Sequence, residues 1–293
     1  MKCLLCGSQN HKVFNRLDSF GVPLVYLQCE RCGLVFQSKE KGQAWESDFY
    51  AETYRRVYQE SVTPTAKDLW VQDQRATNLI HFLNQNLSKP LRRILDIGAS
   101  TGRLLESFQR FFHCGVIGVE PGDAYRAYAE AKGLRMVPSL EALCSESDRE
   151  FDLVSLIHVL EHLPDPLGTL KNIKEELLEE GGFLLLEVPN FYAHESYELA
   201  HLTCYTPHIL REMVKQAGFR IIKLQRHGIP RSELLNLYLT VLAEPLPGTV
   251  KVPSIQPERN VRLKRRLGFL YRRLVQKLFP HRAWLPLPEE KLV

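Results

Sequence analysis

No stretch of this 293-residue sequence is apolar for long enough to cross a bilayer; no run approaches the 18 or more residues that a spanning helix needs. No basic-then-apolar leader opens it either, so the expectation is a soluble, globular protein of the cytoplasm. Internal repeats and low-complexity tracts are also missing, which sets aside repeat architectures. Acid is missing from one region in particular. From Arg259 to Arg282 there are nine Lys or Arg and no Asp or Glu, which leaves −5 for the rest of a chain whose formal charge is +4. The basicity belongs to the tail, and this argues against a broad nucleic-acid face on the main domain.

What is present is a chain that is 44% hydrophobic and 25% charged, enough to bury one large core with attachments. Residues 1–40 are Cys-rich and read as short strands and turns. Residues 41–90 read as a helical lead-in, with Tyr50, Tyr54 and Tyr58 forming a stripe at a spacing of four. Between 91 and 243 apolar strand-like runs alternate with helical patterns, the sign of βα units and a largely parallel sheet. Strands are expected at Arg93–Ile97, Gly115–Val119, Arg135–Val137, Phe151–Ile157, Gly182–Val188, Arg220–Leu224 and Leu237–Ala243. Helices fill the gaps at about 102–112, 123–132, 166–179 and 207–217. The last has Thr206 as N-cap, Pro207 in its first turn and Gly218 as its stop. Residues 244–258 hold four prolines and no periodicity, as a linker or extended arm would. Residues 259–293 are the basic tail.

Four of the seven cysteines form two identical clusters, Cys3-x-x-Cys6 and Cys29-x-x-Cys32, each followed directly by glycine (Gly7, Gly33). A two-residue spacing lets both thiolates of a tight turn face one cation, and two such knuckles complete a tetrahedral four-sulfur zinc site. Such a site is coordinatively closed, so the zinc is expected to be structural. Cys114, Cys144 and Cys204 are scattered singly and read as small buried side chains. Lys12, Arg16 and Arg31 are too few and too mixed with acids to make a phosphate-binding stripe of this module.

In RRILDIGASTGRLLESF, residues 92–108, an apolar run closes on Asp96 and is followed by Gly98 and Gly102. A loop between a strand's carboxyl end and a helix's amino end presents free backbone N–H groups, and glycine lets a ligand approach that backbone. The G-x-G-x-x-G spacing of a dinucleotide loop is not there, and the acid at the strand tip suits a ligand with a cationic amino group better than a pyrophosphate. The next strand ends on Glu120, 18 residues after Gly102, where an acid can take both hydroxyls of a ribose. LDIGASTGRLL, followed by VIGVEPG, FDLVSLIHVLEHLPDP and GGFLLLEVPN, resembles the class I S-adenosylmethionine-dependent methyltransferases over about residues 90–243. The resemblance implies an α/β fold: a doubly wound, largely parallel seven-stranded sheet with its last strand antiparallel, here with a small zinc ribbon before it and a basic amphipathic helix after it. It implies that Asp96, Gly98, Ser100 and Gly102 line the methionine end of S-adenosylmethionine, Glu120 the ribose, and Ser139 and Leu140 the adenine. His158 and Val159 fall at the tip of the fourth strand, beside the transferable methyl. The family usually has a further glycine where this chain has Ser100.

His158-Val-Leu-Glu161-His162 also fits the H-x-x-E-H pattern of inverted zinc proteases. That chemistry needs a helix, and here the residues follow a strand and meet Pro164 and Pro166. Glu161 and His162 are instead expected to open a loop over the pocket, with His162 as one candidate general base and His201, in ELAHLTCYTP, as a second. Zinc-ribbon methyltransferases acting on nucleotide-linked sugars place histidines at both spots and use a Glu-His pair at the second. This chain has Ala200-His201.

The segment RNVRLKRRLGFLYRRLVQKLF, wound as a helix, gathers Leu263, Leu267, Leu270, Tyr271, Leu274 and Leu278 on one face and Arg262, Arg265, Arg266, Arg272, Arg273 and Lys277 opposite. The pattern fits peripheral membrane contact through 259–279, a terminal helix packed on its own domain or a dimer partner, or RNA contact. Taken together, the sequence leads to the expectation of a methyltransferase that uses S-adenosylmethionine and structural Zn2+ and acts on a small-molecule or saccharide acceptor at carbon or oxygen. RNA methylation guided by ribbon and tail, and a non-catalytic cofactor-binding module, are the alternatives; nucleic acid is the less favoured partner.

Overall fold

A computed structural model describes residues 1–19, 21–38, 63–145, 150–248 and 253–288. The tyrosine stripe at 50, 54 and 58 lies outside the described residues, as does the side chain of Cys144. Contacts divide the chain into two compact units: Gly42–Ile157 with Glu176–Leu185 and Pro286–Val293, and Met1–Lys41 with His158–Glu175 and Leu186–Leu285.

The first of these holds the whole of β4 (Arg93–Ile97), β5 (Gly115–Val119), β6 (Met136–Val137) and β7 (Phe151–Ile157). They run parallel: Ile97 pairs with Val119 on one side and Leu156 on the other, and Val119 pairs with Val137. These short, apolar strands are buried from both faces, which is why they read as continuous apolar runs and not as alternations. Asp152 ties β7 to the start of β4 by accepting from the backbone N–H groups of Arg92 (2.8 Å) and Arg93 (2.7 Å). Helix α1 (Ala66–Asn86) starts at a capping box in which Thr65 and Asp68 satisfy each other's backbone N–H. Helix α2 (Arg103–Phe112) buries Leu104, Leu105 and Phe108, at helical spacing, and α3 (Asp123–Glu130) and α4 (Leu140–Ser145) complete the βα pattern.

In the second unit, β1 (His11–Ser19), β2 (Val22–Cys29) and β3 (Val35–Gln37) form an antiparallel sheet that takes β9 (Thr203–Cys204) as its fourth strand. The pairing of Val35 with Cys204 and Phe36 with Thr203 draws a loop from far downstream onto the Cys-rich module. Here too are α5 (Pro166–Asn172), α6 (Pro207–Gln216), β10 (Phe219–His227) and β11 (Tyr238–Pro245). Helix α6 begins as expected: the Thr206 hydroxyl accepts from Ile209 N at 3.0 Å, and Gly218 closes it at a φ of 84°.

With β8 (Leu178–Pro189), the larger sheet has the order β10-β11-β8-β7-β4-β5-β6, and β10 is antiparallel to β11. This is the seven-stranded, mostly parallel sheet that the motifs imply. The short α4 and β9 have no counterpart among the expected elements, and the other differences lie at ends. Strand β6 starts at Met136, one residue late; β8 starts at Leu178, before the expected Gly182, through polar residues that no apolar run marks; and α5 gives way to a π-helical turn, Ile173–Leu177.

After Pro253 the arm is held and not free. Gln216 Nε2 donates to Pro253 O at 2.8 Å, Gln256 N to Glu212 Oε2 at 3.0 Å, and Glu258 N to Cys32 O at 2.9 Å. It leads into α7 (Val261–Leu278) and the short α8 (Pro280–Ala283).

Candidate active site

The tips of β4 and β5 carry one cluster. Asp96 is 3% exposed, and its Oδ1 accepts from the Ser155 hydroxyl at 2.6 Å. Burial pushes its carboxyl up to about 7, with the Glu120 charge adding to the rise and the Ser155 hydrogen bond opposing it. Gly98 and Gly102 sit at φ 78° and 76°, and both Gly98 N and Ala99 N donate to Val119 O. A Cβ on Gly102 would come within 2.3 Å of Leu134 Cδ1, so this glycine is required by backbone and packing together. Glu120 is held by two amides, Ser100 N to Oε2 at 2.9 Å and Gly122 N to Oε1 at 2.7 Å. Two residues beyond β6, Ser139 takes up Ala142 N at 3.2 Å at the start of α4, and Leu140 is half-buried beside it.

The other cluster lies in the second unit and starts where β7 ends. His158 takes the left-handed conformation at φ 58°, and its N donates to Glu187 O at 2.8 Å. Its ring spans two fully buried carboxylates, with Nδ1 3.3 Å from Glu161 Oε1 and Nε2 3.3 Å from Glu187 Oε1. Val159 precedes the single 3-10 turn Leu160–His162, so the H-x-x-E-H residues do not form the helix of an inverted zinc protease. His162 and His201 meet with ring centroids 4.9 Å apart. The Ala200 carbonyl, 3.0 Å from His162 Nδ1, can only accept, which fixes the N–H on Nδ1 and the lone pair on Nε2. Burial lowers His162 to about 4 against the pull of Glu161, and burial lowers His201 too. Burial alone would raise Glu161, but the His158 hydrogen bond and the surrounding histidines hold it down at about 2. Near neutral pH Glu161 is therefore ionised, while burial opposes protonation of His162 and His201. Ligand atoms of Glu161, His162 and His201 all lie within 4.8 Å of one another, so this trio also has the donor set for a divalent cation.

The third cluster is the one the cysteine spacing called for. Sγ atoms of Cys3, Cys6, Cys29 and Cys32 lie within 4.8 Å of one another, with Cys3–Cys32 and Cys6–Cys29 at 3.5 Å. Tetrahedral Zn–S bonds of about 2.3 Å place sulfurs roughly 3.8 Å apart, so four thiolates in this arrangement fit a zinc ion. The knuckles turn on Gly7 N and Gly33 N, which donate to Cys3 O and Cys29 O at 2.9 Å each from left-handed backbone.

A family model described as "Methyltransferase domain" matches residues 71–224, more than half of the chain. The chain belongs to this methyltransferase family. A ubiquinone biosynthesis O-methyltransferase from Hahella chejuensis is 31% identical over 98 residues, covering 31% of this chain and 41% of that protein. One from Acinetobacter baylyi is 30% identical over 108 residues, covering 34% of this chain and 44% of its own. The chain thus spans about two fifths of the length of the curated relatives it matches. Among solved structures, a SAM-dependent methyltransferase from Archaeoglobus fulgidus superposes with a TM-score of 0.50 at 21% identity, over 59% of this chain and 94% of that one. The 1,6-didemethyltoxoflavin-N1-methyltransferase of Burkholderia thailandensis superposes with a TM-score of 0.51 at 20% identity, over 72% and 95%. These likenesses show the class I methyltransferase fold.

For a methyltransferase domain, two local findings go beyond what the sequence made visible. Ser100, where the family's glycine usually stands, holds φ 51° and turns its hydroxyl to Gln72 Nε2 at 3.2 Å, so the left-handed turn survives the substitution. Glu198 restores a carboxylate beside His201, its Oε2 3.5 Å from His201 Nε2, although the neighbouring residue is Ala200. Burial raises Glu198 to about 7. Its spacing of three before His201 was the available signal. Glu187 had none, because one acid in GGFLLLEVPN does not announce a fully buried carboxylate.

Proposed function

We propose that this protein transfers the methyl group of S-adenosylmethionine to the hydroxyl of a small aromatic acceptor, with Zn2+ held structurally by Cys3, Cys6, Cys29 and Cys32. The observation that carries the cofactor is Asp96, a buried carboxylate at a glycine-lined strand tip with an amide-oriented Glu120 on the next strand. The donor set fits both ends of the cofactor: an acid for the ammonium, an acid for the ribose hydroxyls, and Cβ-free backbone at Gly98 between them. Ser139 and Leu140 are the proposed adenine neighbours, and His158 and Val159 the residues near the methyl. When bound, S-adenosylmethionine supplies an electrophilic methyl on a sulfonium.

The remaining work is alignment and the removal of one proton. His162 holds its lone pair on Nε2 and accepts that proton, while ionised Glu161 stabilises the imidazolium that forms. His201 and Glu198, with Nε2 and Oε2 3.5 Å apart, are a second candidate proton acceptor. A phenol-like hydroxyl, with a pKa of about 10, gives up its proton to an imidazole more readily than a sugar hydroxyl does. The relatives named for ubiquinone biosynthesis O-methylation support the same choice. The intact Glu120 contacts and the carboxylate restored at Glu198 speak against a decayed, non-catalytic module.

The test is incubation with methyl-labelled S-adenosylmethionine and a panel of catechols, phenols, nucleotide sugars and RNA. Label is expected on a phenolic oxygen, and His162→Gln is expected to lower kcat by about 10²–10⁴-fold with cofactor affinity retained. Transfer to RNA alone, or to sugars alone, would overturn the acceptor, and full activity of the variant would remove His162 as base.

A further inference from the structure

The faces of α7 are reversed relative to an ordinary surface helix. Val261, Arg265 and Val275 are its buried residues, while Leu263, Leu267, Leu270, Tyr271, Leu274 and Leu278 are each 53–64% exposed. The helix docks through its arginines. Arg265 stacks over Phe191, Tyr197 and Phe269 at 4.1, 4.6 and 4.4 Å and donates to Phe191 O and His194 O. Arg272 packs over Trp284 at 4.9 Å and donates to Ala193 O at 3.0 Å; Arg262 lies over Phe14 at 4.6 Å and donates to Phe14 O at 2.6 Å. Gly268 makes the close approach possible, since a Cβ there would meet Tyr192 O at 2.0 Å.

A continuous leucine stripe is left pointing outward. At 100° per residue, Arg266, Arg273 and Lys277 line one edge of the stripe. They are exposed and have no ion pair among the described residues, unlike Lys264, which reaches Glu258 at 3.1 Å.

We propose that this outward face of α7 docks the protein on an anionic lipid surface, the leucines entering the interface and Arg266, Arg273 and Lys277 meeting the headgroups. An apolar stripe beside a basic edge on an in-plane helix is the arrangement such a surface binds. No described helix is long and apolar enough to cross a membrane, so the contact is peripheral. A second copy fits less well. With no acid from Arg259 to Arg282, stripe-to-stripe packing offers these cations no carboxylate on the opposing helix. RNA would engage the cations and leave the leucines uncovered.

The inference does not depend on methyl transfer and is read by binding alone. The zinc-loaded full chain is sedimented with phosphatidylcholine vesicles, with and without phosphatidylglycerol. Binding is expected only with phosphatidylglycerol, weakening as salt is raised. Arg266→Gln/Arg273→Gln/Lys277→Gln is expected to weaken it about 100-fold, and Leu267→Glu/Leu274→Glu to abolish it. All five residues are exposed, and unchanged circular dichroism and S-adenosylmethionine affinity confirm that the variants fold. No binding by the wild type, or full binding by the leucine variant, overturns the proposal. So does a solution dimer dissolved by the leucine variant, or RNA binding, where vesicles are not bound.

Discussion

Asp96 shows how much one buried acid can report. Its pKa in the folded protein is about 7, against an ordinary 3.8, so its ionisation costs folding stability. That penalty grows as pH rises from the unfolded value and is complete above about 7. A bound ammonium reverses the sign, because it needs the ionised form. S-adenosylmethionine affinity is therefore expected to fall by up to about tenfold per pH unit below about 7, and Asp96→Asn to be both weaker and flat with pH. Titrations from about pH 5.5 to 8 check this, and a flat wild-type profile would contradict it. Gly102→Ala is expected to lose about 1–3 kcal/mol in thermal unfolding, because the added methyl meets Leu134 at 2.3 Å on left-handed backbone. The positions of Asp96, Gly98 and Glu120 at the tips of β4 and β5 were legible in the sequence. Glu187 was not, since its partners His158, His227 and Thr240 come from distant parts of the chain.

At the scale of elements, the segment between β8 and α6 carries His194, Glu198 and His201 and has little regular structure of its own. It is held from two sides. Tyr26 of β2 donates to Glu198 O at 2.8 Å and to His201 O at 3.1 Å, and Gln37 Nε2 reaches Glu198 O and Leu199 O, both at 3.3 Å. Arg265 and Arg272 of α7 take the carbonyls of residues 191, 193 and 194. The Cys-rich module thus acts as a brace for the histidine loop. Zinc removal by chelation, or Cys29→Ser, is expected to lower kcat and the melting temperature while S-adenosylmethionine still binds; equal loss of both functions in calorimetry and turnover would contradict the brace. Arg265→Ala, which removes three ring contacts worth about 0.5–2 kcal/mol each, is expected to act the same way. Strands β4, β5 and β7 matched their apolar runs residue for residue, because runs buried on both faces mark their own ends. Two-residue β9 has no such mark, and its pairing with β3 is a tertiary event.

Across the molecule, the amino-terminal ribbon and the carboxyl-terminal helix are more than attachments. Both converge on residues 191–204, through β3–β9 pairing and through the arginines of α7. Composition showed the tail's two faces but not which would turn inward, because the rings and carbonyls that receive Arg265, at Phe191, Tyr197 and His194, lie about 70 residues away in the sequence. The central claim is that the tips of β4 and β5 grip S-adenosylmethionine at its amino group and its ribose. Isothermal calorimetry of that compound against the wild type, Asp96→Ala and Glu120→Ala tests it most directly. One site per chain is predicted, with binding lost in both variants; unaltered affinity in either, or a wild type that binds a nicotinamide dinucleotide instead, would contradict it.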